Sequence, residues 1–281
     1  MPEGDTIFRA ARTLNRALAG KVVTEFQTVL PKLSRVDEDR PITGRTIESV
    51  RSSGKWLSIH LSGDLVLLTH MLMNGSWHIY RPGERWQRLG ADMRIVIATQ
   101  DFVAVGFNVP VAEFRTEKSL ALRSAVSRLG ADLLSAEFKP AEAIIALRTH
   151  PDMGIGEALL RQSLIAGLGN VYKSEVCFAC RVNPFRLVST LAQSELECLV
   201  GTAQKFVRAN VKDTTGAQIV TYTGLRRTTG RANPADRLWV YARAGQPCRR
   251  CGTPIERKKQ GPDVRVTFWC PQCQPCILQH P

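Results

Sequence analysis

Two tight thiol pairs near the end of the chain, Cys248-x-x-Cys251 and Cys270-x-x-Cys273, constrain the fold more than any other feature, with 18 residues separating them. Two such knuckles offer four soft thiolates at the tetrahedral spacing that zinc prefers. The strand-like run Val264 to Trp269, leading into the second pair, fits a β-hairpin zinc finger. Four protein ligands leave no open position for chemistry, so Cys248, Cys251, Cys270 and Cys273 are expected to hold one structural zinc ion. Two disulfides are the alternative, which an intracellular chain disfavours. Of the other thiols, Cys177 and Cys180 form a third C-x-x-C inside a predicted helix, with no partner pair, and read as core thiols. Cys198 and Cys276 read as spare.

Charge narrows the partner. The chain of 281 residues has 38 Lys and Arg against 25 Asp and Glu, a net of +13, and residues 201–281 alone hold 14 basic and 4 acidic side chains. A localised positive field attracts a polyanion by counterion release, and nucleic acid is the usual one. A solvated basic face is the bland alternative. Hydrophobic residues make up 44%, enough for a packed core, which excludes a disordered tail protein. No apolar run approaches the roughly 20 residues of a membrane-spanning helix. The start, Met1-Pro2-Glu3-Gly4-Asp5, lacks the apolar stretch of a secretory signal. The expectation is a soluble cytoplasmic protein, nucleoid-associated if the source is bacterial, with no membrane partner. No oligomer face is evident, so a monomer is expected.

Periodicity divides the chain. Ile7, Ala10, Ala11, Leu14, Ala17 and Leu18 share one face of a helix over residues 5–20, with Asp5 as its cap and Gly20 as its stop. Residues 21–110 read as strands. Trp56 to Leu61 and Leu65 to His70 flank Ser62-Gly63-Asp64, a hairpin signal, and Arg94–Ala98 with Phe102–Val105 make another pair. From about residue 118 the pattern turns helical. Helices are expected over Ile155–Leu164 and Val171–Ala179, split by the turn Ala166 to Asn170, and over Leu191–Val207. Residues 213–237, rich in Thr, Gly and Arg, read as a loop. The expected domains are 1–130, a bridge over 131–150, a helical region over 151–240 and the finger over 241–281.

The chemistry-bearing group at the start is Pro2. Removal of Met1 would leave a secondary amine, and an α-amino group with a pKa near 8 is partly neutral at pH 7. Such an amine attacking a sugar C1′ gives an iminium ion, an electron sink for elimination. Glu3 beside it can shuttle protons.

Six stretches then occur in order: Met1 to Gly4, Gly54-Lys55, His70 to Trp77, Gly167 to Glu175, Tyr241 to Gly252 and Arg265 to Gln274. Together they resemble the formamidopyrimidine-DNA glycosylase / endonuclease VIII family over the whole chain. The resemblance implies an α+β fold: an N-terminal β-sandwich with a flanking helix, a helix–two-turn–helix region and the β-hairpin zinc finger. It implies a DNA glycosylase and abasic-site lyase of base excision repair, with damaged DNA as partner. On it, Pro2 forms the Schiff base, Glu3 assists proton transfer, and Lys55 contacts a phosphate flanking the lesion. Asn170 and Arg265 bind phosphates around the damaged nucleotide, and Arg suits this because its planar fork can bond two oxygens. Met73 matches the wedge that fills the gap left by an extruded base. Tyr172 and Glu175 match the motif without an assigned role.

Departures from the pattern favour the endonuclease VIII branch. The second loop, Phe107 to Glu113, lacks the Arg of the formamidopyrimidine branch, and Asp5-Thr6 stands where a Glu is usual. Leu72-Met73-Asn74 replaces the Gln-Leu-Tyr wedge common in the endonuclease VIII branch. The chain therefore reads as a bifunctional glycosylase and lyase that removes oxidised bases, pyrimidines foremost, by β,δ-elimination. A damage-sensing binder that retains Met1 is the alternative.

Overall fold

The computed structural model describes residues 2–211, 228–229 and 236–276. Met1 lies outside them, as does the loop expected over 213–237 except Thr228, Thr229, Asp236 and Arg237. The chain divides into two compact units, the first reaching Arg128 and the second beginning at Leu129.

The first unit opens with α1 (Gly4–Leu18), followed by β1 (Glu25–Thr28), α2 (Pro31–Asp39), β2 (Ile47–Ser53), β3 (Trp56–Leu61) and β4 (Leu65–His70). It continues with β5 (Ser76–Tyr80), β6 (Met93–Ala98), β7 (Val103–Phe107), β8 (Val111–Arg115) and α3 (Glu117–Arg123). Two four-stranded antiparallel sheets result, ordered β1-β6-β7-β5 and β2-β3-β4-β8. Alternate residues point to opposite faces of a strand, so Leu57, Ile59 and Leu61 of β3 and Leu65 and Leu67 of β4 enter the core between the sheets. There they meet Ile95 and Ile97 of β6 and Ile7, Leu14 and Leu18 of α1. Asn15 ties helix to sheet, its Oδ1 accepting the Val50 N–H at 2.7 Å. The expected hairpin stands: β3 and β4 pair from Trp56↔His70 to Leu61↔Leu65, and Gly63 and Asp64 both take positive φ in the turn. α1 begins one residue earlier than expected. Glu3 is its N-cap, while Asp5 sits inside the first turn against Arg9 at 3.6 Å, where an acidic group suits the helix dipole.

The second unit contains β9 (Ala131–Asp132), α4 (Pro140–Arg148), α5 (Ile155–Ala158), β10 (Ile165–Ala166), α6 (Asn170–Ala179) and α7 (Gln193–Ala209). The strands β11 (Glu256–Gln260) and β12 (Arg265–Trp269) complete it. Residues 131–150 differ from the expected bridge. Leu133, Ala143, Ile144 and Leu147 join a core with Leu168, Tyr172, Val176, Leu196 and Leu199, and β9 pairs in parallel with β10. Apolar burial thus makes this stretch part of the helical unit. The helix expected over 155–164 stops after Ala158, because the Gln162 side chain organises a turn instead. Its amide donates to the Leu160 and Leu168 carbonyls and accepts from the Gly167 N–H. α7 starts two residues late; the Glu195 carboxylate reaches back to accept the Ala192 N–H at 2.9 Å.

Two thiol expectations are corrected. Cys180 and Cys198 form a disulfide between the end of α6 and α7, so the first is no core thiol and the second is not spare. Their side chains meet because α6 and α7 pack together, which residue spacing does not encode. Cys177 does lie in the core, where burial pushes its thiol up to about 12.

Candidate active site and nucleic-acid interface

In the first unit, Pro2 is half-buried and Glu3 has no exposed surface. The Glu3 carbonyl accepts the Thr6 and Ile7 N–H groups at 2.9 and 3.1 Å, which sets Pro2 immediately before the positive end of α1. A carboxyl group on the neighbouring residue is of the type that can move a proton at an adjacent amine.

Lys55 occupies the β2–β3 turn, behind Gly54 at φ +56, and is half-buried. The cross-strand pair Trp56↔His70 brings the end of β4 to the same place, and the two rings meet edge-on with centroids 4.8 Å apart. His70 is lowered to about 4, first by burial and then by the Lys55 ammonium. Its Nδ1 accepts the Leu72 N–H at 3.0 Å. That bond fixes the start of the turn carrying Met73, which is 53% exposed, whereas Met71 is buried in the core. Gly75 closes the turn so tightly that a Cβ there would lie 2.6 Å from the Met71 carbonyl. Lys55 and Met73 are thus linked through His70, a residue that sequence reasoning missed. Its signal was present in the strand register and absent from residue type.

In the second unit, Asn170 is the first residue of α6, and its Nδ2 donates to the Val266 carbonyl at 2.8 Å. Arg265, exposed at the start of β12, is the neighbour of that carbonyl. Two residues that stand 95 apart in sequence are therefore held one residue from contact. Lys173 reinforces the joint, its Nζ reaching Thr267 Oγ1 at 2.6 Å. Tyr172 is buried in the core. Glu175 is wholly buried and accepts the Trp239, Val240 and Tyr241 N–H groups, each at 2.8 Å, and the Thr228 hydroxyl. Burial pushes its carboxyl above the ordinary range while those donors pull it back. Its role is therefore to staple the segment leading into the finger onto α6.

The four expected thiols converge, with Sγ atoms all within 4.8 Å of one another. A zinc–sulfur bond of about 2.3 Å gives a tetrahedron with edges of about 3.8 Å, and the Cys248–Cys273 and Cys251–Cys270 distances are 3.9 and 3.5 Å. Backbone N–H groups of Arg250 and Cys273 approach the Cys248 and Cys270 sulfurs at 3.4 Å, as suits thiolates. The donor set fits zinc and fills its coordination. Gln274 anchors the second knuckle, accepting the Cys270 N–H at 3.0 Å and donating to the Val182 carbonyl at 2.8 Å.

A β-sandwich with a buried carboxylate behind its leading residues, and a helical unit whose zinc-clasped hairpin presents an arginine, define the class as a zinc-finger helix–two-turn–helix protein. The family model described as "Formamidopyrimidine-DNA glycosylase N-terminal domain" matches residues 1–110. "Formamidopyrimidine-DNA glycosylase H2TH domain" matches residues 129–221, and "Zinc finger found in FPG and IleRS" matches residues 245–275. A Streptomyces coelicolor protein named "Probable endonuclease 8 2" is 41% identical, over 98% of this chain and 94% of its own. The Mycolicibacterium smegmatis "DNA-(apurinic or apyrimidinic site) lyase Nei2" is 36% identical, over 98% and 99%. Lactococcus lactis Fpg, solved with DNA containing an abasic site, shares the fold with a TM-score of 0.80 at 23% identity, over 98% of this chain and 100% of that one. The chain belongs to the formamidopyrimidine-DNA glycosylase / endonuclease VIII family.

Proposed function

We propose that this protein is a bifunctional DNA glycosylase and abasic-site lyase that removes oxidised bases, pyrimidines foremost, and cuts the strand by β- and then δ-elimination. The observation that carries the reading is Glu3, wholly buried and next to Pro2 in the chain at the head of α1. The names of the relatives in Streptomyces and Mycolicibacterium support it.

In this mechanism Pro2, made terminal by removal of Met1, attacks C1′ of the damaged nucleotide while Glu3 handles the protons. The base leaves and an iminium ion links Pro2 to the opened sugar. Loss of a C2′ proton expels the 3′ phosphate, a second elimination expels the 5′ phosphate, and hydrolysis frees the amine. Lys55, Asn170 and Arg265 hold the backbone phosphates, and exposed Met73 fills the space of the extruded base. The zinc, held by Cys248, Cys251, Cys270 and Cys273, shapes the hairpin that carries Arg265 and takes no part in the chemistry. The reading places the protein in the cytoplasm, on DNA.

Borohydride trapping on an oligonucleotide with one abasic site tests it, alongside intact mass to verify that Met1 is gone. The expected result is a covalent adduct with the trimmed protein that disappears in Pro2→Gly, and base excision that fails in Glu3→Gln. Trimmed protein that neither cuts nor links to abasic DNA would overturn the reading.

A further inference from the structure

The geometry points to a second catalytic site on the first unit: a serine hydrolase centre for small carboxylic esters, with Ser58 as nucleophile, His60 as base and Glu117 orienting it. Inner and outer residues alternate along β3, so Leu57, Ile59 and Leu61 enter the core and Ser58 and His60 take the opposite face. There Ser58 Oγ lies 2.9 Å from His60 Nε2, and His60 Nδ1 lies 2.5 Å from Glu117 Oε1. A carboxylate only accepts, so Nδ1 carries the ring proton and Nε2 offers its lone pair to the serine hydroxyl. This is the tautomer that a general base needs, and nucleophile, base and orienting acid are in hydrogen-bonded order.

The backbone of Glu117 is held in place. Its backbone N–H donates to Asp64 Oδ1 at 2.8 Å, and Thr116 caps α3 by accepting the Ser119 N–H at 3.1 Å. Ser58 and His60 are buried, at 8% and 3% exposure, and the Glu117 side chain at the other end of the hydrogen-bonded row is 53% exposed. Here Ser58, His60 and Glu117 line a pocket of about 150 Å³, walled by Trp56, Leu68, Leu120 and Val126. A cavity of that size accommodates a molecule as large as benzene, which sets the substrate class as short acyl esters. Arg51 also lines the pocket and pairs across the strands with Ser58, so both side chains share one face. Its guanidinium supplies positive charge for a developing oxyanion.

The chemistry closes. Ser58 Oγ bonds to the carbonyl carbon as its proton passes to His60 Nε2. The ester C–O bond breaks, and the alcohol leaves with that proton. Water then attacks the acyl-serine, gives a proton to His60, and releases the carboxylic acid as Ser58 recovers its hydrogen. The sum is ester plus water to acid plus alcohol.

Steady-state hydrolysis of p-nitrophenyl acetate by the full-length protein is the test, with a fluorophosphonate label located by peptide mass. Turnover rather than a single burst excludes acylation of the Pro2 amine. The expected result is turnover that falls roughly 10²-fold or more in Ser58→Ala and His60→Gln, a label on Ser58, and unchanged abasic-site trapping in Ser58→Ala. Wild-type turnover equal to that of Ser58→Ala, or wild-type protein that leaves Ser58 unlabelled, overturns the assignment. The label is read on the wild type, so it decides even if a variant fails to fold.

Discussion

His70 shows how much one residue's surroundings decide. Burial and the neighbouring Lys55 ammonium both oppose its protonation, so its folded pKa of about 4 lies below the ordinary value of 6.5. As pH falls, the unfolded chain therefore takes the proton first. The stabilisation from neutral His70 is complete above about pH 6.5 and is lost progressively down to about pH 4. The Leu72 N–H bond at the foot of the Met73 turn goes with it, since a protonated Nδ1 cannot accept. Imidazole resonances should titrate with a midpoint near 4 in the wild type, and higher in Lys55→Met. A wild-type midpoint at 6.5 would contradict the geometry. Pro2, Glu3, Lys55 and Met73 were all legible as residue types in motifs. The link from Lys55 through His70 to Met73 was not, because it depends on the register Trp56↔His70.

Among the elements, α6 concentrates the constraints: Asn170 at its first turn, Glu175 in its middle and Cys180 at its end. Replacing Glu175 by Ala would strand the buried N–H of Val240, at about 1–3 kcal/mol, and the part-buried N–H groups of Trp239 and Tyr241. Thermal unfolding should drop by many degrees in Glu175→Ala and by less in Glu175→Gln, which keeps one acceptor oxygen. The Cys180–Cys198 bridge closes a loop of 18 residues, worth about 3 kcal/mol on a chain-entropy view. Reduction, or Cys180→Ser, should lower the melting temperature by several degrees while leaving abasic-site trapping intact. An identical melting curve with and without reductant would refute the bridge. Element type was largely readable, since β3, β4, α6 and α7 follow clear periods. Element ends were less so, because Gln162 and Glu195 reset them through side-chain bonds to the backbone.

At the scale of the whole molecule, charge and zinc act together. With a net charge of +13, binding to DNA should weaken steeply with salt, by a slope of about 0.9 in log–log form for each phosphate neutralised. Arg265→Ala and Lys55→Ala should each reduce that slope by about one, read from affinities at several salt concentrations. Chelation should release one zinc per chain and abolish DNA binding, because the hairpin carrying Arg265 is anchored by the thiolate cluster. Binding that survives complete zinc loss would show that the finger is dispensable. By itself the sequence determined the zinc ligands, a strand-rich first unit with a helix at its front, and the helical second unit. These follow from spacing and periodicity, which are properties of neighbours along the chain. Only the tertiary structure decided that residues 131–150 pack into the helical core, that Cys180 finds Cys198, that Asn170 reaches the strand of Arg265, and that Ser58, His60 and Glu117 meet around a pocket. Each of those contacts joins separate elements, and its partners are chosen by how apolar faces bury and strands register, which no local pattern records.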